Sequence, residues 1–150
     1  LYNKNFLYDS SKIDQKDHPL YINLKLNDDY KKIIKNSIYR KKSFYEFQVS
    51  TVNFFGKKIP ISGGGYLRII PWFIFKFLLK KYLKNNTHYN FFIHPFELSN
   101  VNILKPKNTS FLSRFRFEYN RKHTRSRLRK IITILKEEGY SFVTFRDLCK

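Results

Sequence analysis

The chain has 150 residues, of which 42% are hydrophobic, so it can bury one core and is too apolar to be a disordered tail. Its formal net charge of +19 suggests nucleic acid or an anionic surface as a partner. The lysines, however, are spread along the whole chain, and the sequence contains no alanine. We therefore interpret much of the charge as the result of a biased amino-acid composition. The single cysteine, Cys149, excludes an internal disulfide and is interpreted as a small apolar filler.

The N-terminal half is predicted to contain turns and two strands. Asp9-Ser10-Ser11 is typical of a turn or a helix cap. The alternating segment Tyr21–Leu26 predicts a short strand, and the basic segment Lys31–Lys42 predicts an exposed loop or a short helix. Partial alternation in Phe44–Phe54 predicts a second strand. This pattern places on one face Glu46, Gln48 and Ser50, and on the other Phe47, Val49 and Thr51.

The middle of the chain predicts a turn, a helix and a buried strand. Gly63-Gly64-Gly65 can adopt positive φ or let another group approach closely, and Pro71 suits a first helical turn. Trp72–Lys84 predicts a helix whose C-terminal lysines favour the helix dipole. Tyr89–His94 predicts a buried strand that ends before Pro95.

The C-terminal third begins with a predicted loop at Val101–Ser113. The helix predicted at Thr124–Glu138 is followed by Gly139, a typical C-terminal stop. Tyr140–Phe145 predicts a strand and Arg146–Lys150 a final turn. The apolar residues of the helix recur at helical spacing, at Leu128, Ile131, Ile132 and Leu135. Helices alternating with strands favour an α/β layer or barrel segment.

The longest apolar stretch is too short to cross a membrane. Ile69–Leu79 is interrupted by Lys76 and followed by Lys80. A membrane-spanning helix needs roughly 20 apolar residues. We therefore expect no membrane span, although a helix lying on a membrane surface is compatible with the sequence.

His94 is the residue most suited to chemistry, because functional side chains gather at strand ends in α/β folds and histidine titrates near neutral pH. The alternative is a structural histidine at the end of a strand. Gly63-Gly64-Gly65 lacks the lysine and hydroxyl residue of a P-loop and the spacing of a dinucleotide site. None of the 4 histidines has the paired spacing of a metal site, so no metal ligands are predicted in this chain.

Four segments of the chain form an ordered set of motifs, namely Glu46–Val52 (EFQVSTV), Pro60–Arg68 (PISGGGYLR), Phe92–Glu97 (FIHPFE) and Leu112–Arg116 (LSRFR). In this order they resemble motifs of bacterial polysaccharide deacetylases of carbohydrate esterase family four. The subgroup is the one associated with exopolysaccharide loci, whose catalytic domain runs into a C-terminal extension. Tyr8–Ser11 (YDSS), Thr124–Leu128 and Phe142–Leu148 also resemble this subgroup, so the resemblance covers nearly the whole chain.

The resemblance implies an α/β fold, the C-terminal portion of a distorted (β/α) barrel. It implies one partial domain over residues 1–150. Residues 1–100 would be the end of the barrel with a loop of the substrate groove, and residues 101–150 the C-terminal extension with its closing helix and strand. The chain begins at Leu1 rather than Met, which we interpret as a sign of truncation, although processing could produce the same start.

The resemblance also implies a reaction and a cofactor. The family removes N-acetyl groups from amino-sugar polymers with a divalent metal, usually zinc, held by an aspartate and two histidines. His94 matches the late histidine that acts as general acid, with Phe92 where the family often has leucine. The motifs for the metal and the general base have no counterpart here and would lie upstream. We therefore expect this chain to be inactive alone.

The remaining site residues are expected to border the substrate groove. Gly63, Gly64, Gly65 and Tyr66 would form a loop beside it, with Tyr66 and Trp72 as platforms for sugar stacking. Other residues would bind sugar hydroxyls or hold the loop in place, namely Glu46, Arg68 and Glu97. The expected partner is an amino-sugar polysaccharide or oligosaccharide.

Two other functions remain as alternatives at this stage. One is a non-catalytic carbohydrate-binding or assembly module that kept the groove, which an upstream aspartate with paired histidines would argue against. The other, less favoured, is a basic nucleic-acid-binding domain, whose binding would depend steeply on salt concentration.

Overall fold

The computed structural model of the chain describes residues 6–14, 26, 28–34, 37–99, 115 and 118–149. The strands in these residues are β1 (Tyr8–Asp9), β2 (Lys31–Ile34), β3 (Ile38–Lys41), β4 (Phe44–Phe47), β5 (Thr51–Phe54) and β6 (Lys57–Pro60). The helices are α1 (Gly64–Ile69), α2 (Trp72–Leu83), α3 (Pro95–Leu98) and α4 (Arg121–Glu137). A 3₁₀ turn, Arg146–Leu148, follows α4.

The first sheet has the strand order β1-β4-β3-β2. Strands β2, β3 and β4 are antiparallel neighbours, with Tyr39 opposite Glu46, whereas β1 runs parallel to β4. The prediction of a loop or short helix for Lys31–Lys42 was wrong, because its residues form β2 and β3. Basic residues suit this position because their side chains cover aromatic rings, as Arg40 does at 5.2 Å from the Tyr45 ring centroid.

The single strand predicted at Phe44–Phe54 is two strands in different sheets. β4 ends at Phe47, and β5 begins at Thr51 and pairs with β6 in a separate hairpin. The intervening residues 48–50 are buried along with all of β4, so both faces of this stretch lie in the interior. Alternation alone did not predict this break, because polar residues at 48 and 50 are as buried as the apolar residue between them.

A buried polar network around Asn90 explains the break. The Asn90 Oδ1 atom accepts hydrogen bonds from the Ser50 N–H at 3.1 Å and from the Ser62 hydroxyl at 2.7 Å. The Asn90 Nδ2 atom donates to the Gln48 carbonyl at 2.8 Å. The carboxamide therefore satisfies the Ser50 N–H and the Gln48 carbonyl, while Val49 between them forms an isolated parallel bridge with Ile13. Tyr89–His94 was predicted as a strand, but it pairs with no strand in the described structure.

The main core lies between the β5–β6 hairpin and helices α1, α2 and α4. The prediction of α2 is confirmed, and its Phe75 and Leu79 are fully buried. The prediction of α4 is also confirmed, although the helix begins at Arg121. Gly139, with φ of 79°, ends it, and the N–H of Tyr140 bonds to the Leu135 carbonyl at 2.9 Å.

The C-terminal segment packs against the first sheet without joining it. The predicted strand Tyr140–Phe145 was wrong, because these residues pair with no described strand. Phe145 instead stacks on Phe47, with ring centroids 4.2 Å apart. Cys149 packs against the same cluster, and burial raises the pKa of its thiol. Its interpretation as an apolar filler fits these contacts.

The described residues are mixed α/β, which confirms the predicted fold class. They form two sheets and no closed barrel, so the barrel stays a prediction. The predicted strand Tyr21–Leu26, apart from Leu26, and the predicted loop Val101–Ser113 lie outside the described residues. None of the described helices has the length and apolarity needed to cross a membrane.

Asn90→Ala should lower the free energy of unfolding by about 3 kcal/mol, because it leaves several buried polar groups without partners. Asn53→Ala is the matched control, since Asn53 is exposed on β5, and it should change stability by less than about 0.5 kcal/mol. Urea unfolding of both variants measures the difference. Equal losses would show that the Asn90 network does not stabilise the fold.

Candidate functional site

The Glu97 carboxylate is the centre of the candidate site. Its side chain is 2% exposed and forms an ion pair with Arg68, which is 4% exposed, at 2.9 Å between Oε1 and Nη2. The other oxygen, Oε2, accepts a hydrogen bond from the backbone N–H of His94 at 2.9 Å. One buried carboxylate thus connects α1 to the first turn of α3, where a residue at the third position commonly binds the N-terminal backbone.

The glycine loop packs directly on the segment that carries His94. A Cβ atom at Gly64 would lie 2.2 Å from Glu97 Oε2, and one at Gly63 would lie 2.6 Å from the Phe92 ring. Gly63 also has a φ of 100°, a conformation that residues with a Cβ avoid. The Gly64 N–H donates to the Phe92 carbonyl at 3.1 Å. Both positions therefore need glycine because of close approach.

Arg127 of α4 holds the end of α1 and was missed by the sequence analysis. Its Nη1 atom donates to the carbonyls of Leu67 at 2.6 Å, Arg68 at 3.2 Å and Ile70 at 3.3 Å. These carbonyls have no partner within the short helix, and a cation at a helix C-terminus also stabilises the dipole. Arg127 lies within a dense basic stretch, so nothing in its spacing could have distinguished it.

The His94 side chain lies at the surface of this arrangement. His94 is the N-cap residue of α3 and is exposed, while its backbone is fixed by Glu97. Its imidazole lies between two aromatic rings, edge-on to Phe92 at 6.0 Å and stacked on Phe96 at 5.6 Å. An imidazole held in this way can donate or accept a proton at the surface.

The other predicted site residues make different contacts. Gly65 has open space around its Cβ position, and Tyr66 next to it is half-buried. Trp72 stacks on Phe75, with ring centroids 6.3 Å apart, and Lys130 lies 5.5 Å from its ring centroid. Neither contact involves the glycine loop.

Glu46 joins the N-terminal segment to β4. Its carboxylate accepts hydrogen bonds from the N–H groups of Ser11 at 3.1 Å and Lys12 at 2.8 Å. Burial raises the pKa of the Glu46 carboxyl, and the two N–H groups lower it in part.

Five of the predicted site residues lie together in the structure, namely Gly63, Gly64, Arg68, Glu97 and His94. Glu46 and Trp72 make other contacts. Roles in substrate binding stay predictions.

A groove of about 840 Å³ lies on the other side of the His94 segment. Phe91 and Ile93 line it, whereas the Phe92 ring lies against Gly63 and the His94 ring lies beside Phe92. This alternation is typical of an extended chain. His88 also lines the groove. Its Nδ1 atom is buried without a hydrogen-bond partner in the described part of the chain, and burial lowers the pKa of its imidazole.

The described residues do not fit the zinc that the resemblance implies. They include no group of three or more histidine, cysteine, aspartate or glutamate side chains placed to hold a metal ion. Glu97 faces Arg68 rather than a second carboxylate, and within the described residues the buried Nδ1 of His88 has no hydrogen-bond partner. Metal chemistry is therefore not assigned to these residues.

Gly64→Ala should lower the free energy of unfolding by about 2–3 kcal/mol, because the added methyl group overlaps the buried Glu97 carboxylate. Gly65→Ala is the matched control, because its Cβ meets nothing within 4 Å and alanine favours the helix. Thermal and urea unfolding of the two variants give the comparison. A loss for Gly65→Ala as large as that for Gly64→Ala would contradict the close contact.

The free energy of unfolding should fall as the pH drops from about 7.5 to about 5.5. Unfolded His88 takes up a proton near its usual pKa of about 6.5, while burial keeps folded His88 neutral to lower pH, so acid favours the unfolded chain. His88→Phe should remove the part of this pH dependence that comes from His88. The control His123→Phe changes an exposed histidine on α4 and should leave it in place. Identical pH profiles for the two variants would contradict the prediction.

Comparison with known proteins identifies one related family. Neither the curated proteins nor the solved structures contain a match to this chain. A family model described as "Domain of unknown function (DUF3473)" matches residues 24–150, which include the glycine loop, His94, Glu97 and Arg127. The chain therefore belongs to the DUF3473 family.

Proposed function

We propose that the chain is the C-terminal portion of a metal-dependent polysaccharide deacetylase that removes N-acetyl groups from an amino-sugar polymer in exopolysaccharide metabolism. The ordered motifs that resemble this family are the basis of the proposal. Its fold would then be the last part of a distorted (β/α) barrel. The described strands and helices would form one side of that barrel.

The observation that carries the proposal is the position of Glu97. Two of the resembling motifs, Pro60–Arg68 and Phe92–Glu97, are separated in sequence but meet at this buried carboxylate. The ion pair with Arg68 and the contact with Gly64 fix the two segments to each other. Such a contact is what we expect if both motifs belong to one site.

His94 would act as the general acid. Cleavage of an acetamide releases an amine, which is a poor leaving group until it is protonated. The exposed imidazole of His94, protonated at the start, would give its proton to the departing nitrogen. Glu97 would hold the His94 backbone in position, and Gly65, which is partly exposed with open space around its Cβ position, would border the sugar chain.

The divalent metal of such an enzyme would supply an activated water for attack on the acetyl carbonyl. Its ligands would come from outside the described residues, since these include no group able to hold a metal ion. The part of the reaction assigned to this chain is therefore limited to proton donation and positioning.

His94→Ala, in the protein expressed from its complete coding sequence, should lower acetate release from N-acetylglucosamine oligomers by roughly 100-fold or more. The loss follows from the missing proton donor, so metal content and the melting temperature should stay unchanged. The assay measures acetate released per folded molecule, with metal content determined on the same samples.

His123→Ala is the matched control, because His123 is exposed on α4 and lies outside the motifs. It should keep full activity. Unchanged turnover with a lowered melting temperature in His94→Ala would make His94 a structural residue. Oligosaccharide binding without acetate release in the unaltered protein would favour the non-catalytic carbohydrate-binding module over the deacetylase.

A further inference from the structure

An exposed surface of α2 and the β5–β6 hairpin combines phenylalanines with lysines. We call it the aromatic–lysine patch. Its aromatic residues are Phe55, Phe73 and Phe77, which are 88%, 73% and 56% exposed. Its basic residues are Lys57, Lys76, Lys80, Lys81 and Lys84. The proposed deacetylase activity uses none of these residues.

The aromatic residues form one continuous surface. The Phe54 ring lies 4.4 Å from the Phe55 ring and 6.1 Å from the Phe77 ring, so it links the hairpin to α2. Phe73 lies four residues before Phe77 and therefore on the same face of the helix. Lys81, one turn after Phe77, lies 5.9 Å from the Phe54 ring centroid.

Phe55 occupies a position that a phenylalanine normally avoids. Phe55 and Gly56 form the two-residue turn of the hairpin with φ of 49° and 74°. Such a turn favours asparagine or glycine at its first position. A bulky residue here is strained, and its ring contributes little to the core because it is 88% exposed. Phe55 thus breaks the residue preference of its turn without stabilising the core, and such a residue is expected to serve a function other than folding.

The patch is strongly positive because acidic residues are missing from this part of the chain. No aspartate or glutamate occurs in the sequence between Glu46 and Glu97. Lys80 lies 3.9 Å from Glu138 of the neighbouring segment. In the described residues, no carboxylate lies within ion-pair distance of Lys57, Lys76 or Lys84.

We propose that the aromatic–lysine patch binds the surface of a lipid bilayer that contains anionic lipids. The phenylalanine rings enter the boundary between headgroups and acyl chains, and the lysines reach the lipid phosphates around them. The complementary charge of the headgroups is what selects this partner. A second copy of the chain would bring two rows of lysines together, with no acidic residue in either patch to pair with them.

A nucleic acid shares the negative charge but fits the patch less well. The patch contains no arginine, the residue that best recognises phosphate and bases by paired hydrogen bonds. It lies on a helix face and on the tip of a hairpin, whereas single strands are bound by grooves. A bilayer needs only a protruding apolar surface with lysines around it.

The test is co-sedimentation of the chain with vesicles of phosphatidylcholine alone and of equal parts phosphatidylcholine and phosphatidylglycerol. We expect binding to the anionic vesicles, weakened by salt, and little binding to phosphatidylcholine. The triple variant Phe55→Ser, Phe73→Ser, Phe77→Ser should reduce the affinity at least about tenfold, because inserted aromatic area is lost while the charge is unchanged. Circular dichroism verifies that the variant is folded.

Matched variants separate this patch from general basicity. The control Phe6→Ser, Phe142→Ser, Val143→Ser removes three similarly exposed apolar residues elsewhere and should bind like the unaltered chain. A second pair of variants changes the charge by the same amount in two places. The triple variant of the patch, Lys57→Gln, Lys76→Gln, Lys84→Gln, should weaken vesicle binding more than the triple variant of α4, Lys122→Gln, Arg129→Gln, Lys136→Gln.

Two outcomes would overturn the proposal. Equal losses in the patch variants and their matched controls would mean that the vesicles do not select this patch. The patch would be assigned to nucleic acid if the triple phenylalanine variant lost binding to a single-stranded oligonucleotide but kept its binding to vesicles.

Discussion

A single buried carboxamide, that of Asn90, holds together three segments that are distant in sequence. It binds the backbone around Gln48 and Ser50 and the hydroxyl of Ser62, and so supplies the hydrogen bonds that a neighbouring strand would otherwise provide. Buried backbone groups without partners cost about 1–3 kcal/mol each, which makes this network a condition for the irregular path of the chain. The segments that it fixes lead directly into the glycine loop on one side and the His94 segment on the other.

The Glu97–Arg68 pair then sets the geometry of the candidate site. A buried ion pair gains little net stability, because both charges lose their hydration, but breaking one partner leaves the other charge buried. The main effect of the pair is therefore to fix one arrangement of α1 and α3 rather than to add stability. The Glu97 carboxylate fits beside α1 because Gly64 has no side chain. The ion pair and the hydrogen bond from the His94 N–H thus fix the backbone that carries the exposed His94 imidazole.

The sequence by itself determined the two long helices, because their signals are local. The apolar period of α4 and its stop at Gly139 act within a few residues, and so do the proline and lysines at the ends of α2. The α/β class followed from the same patterns. The resemblance also named Gly63-Gly64-Gly65, His94 and Glu97 as site residues, with Glu97 expected to bind sugar hydroxyls or hold the loop in place, but it did not indicate the contacts that Glu97 makes with Gly64 and the His94 backbone.

Only the tertiary structure decided which extended segments become strands. β3 joins a sheet because β4 offers it a ladder, and β2 pairs with β3 in turn. Tyr89–His94 and Tyr140–Phe145 have a strand-like pattern but no neighbouring strand in the described structure. A strand's hydrogen bonds go to residues far away in sequence, so its own pattern reports burial but not pairing. The roles of Asn90 and Arg127 were decided in the same way, because a polar side chain acquires its partners only when the packed chain brings them within reach.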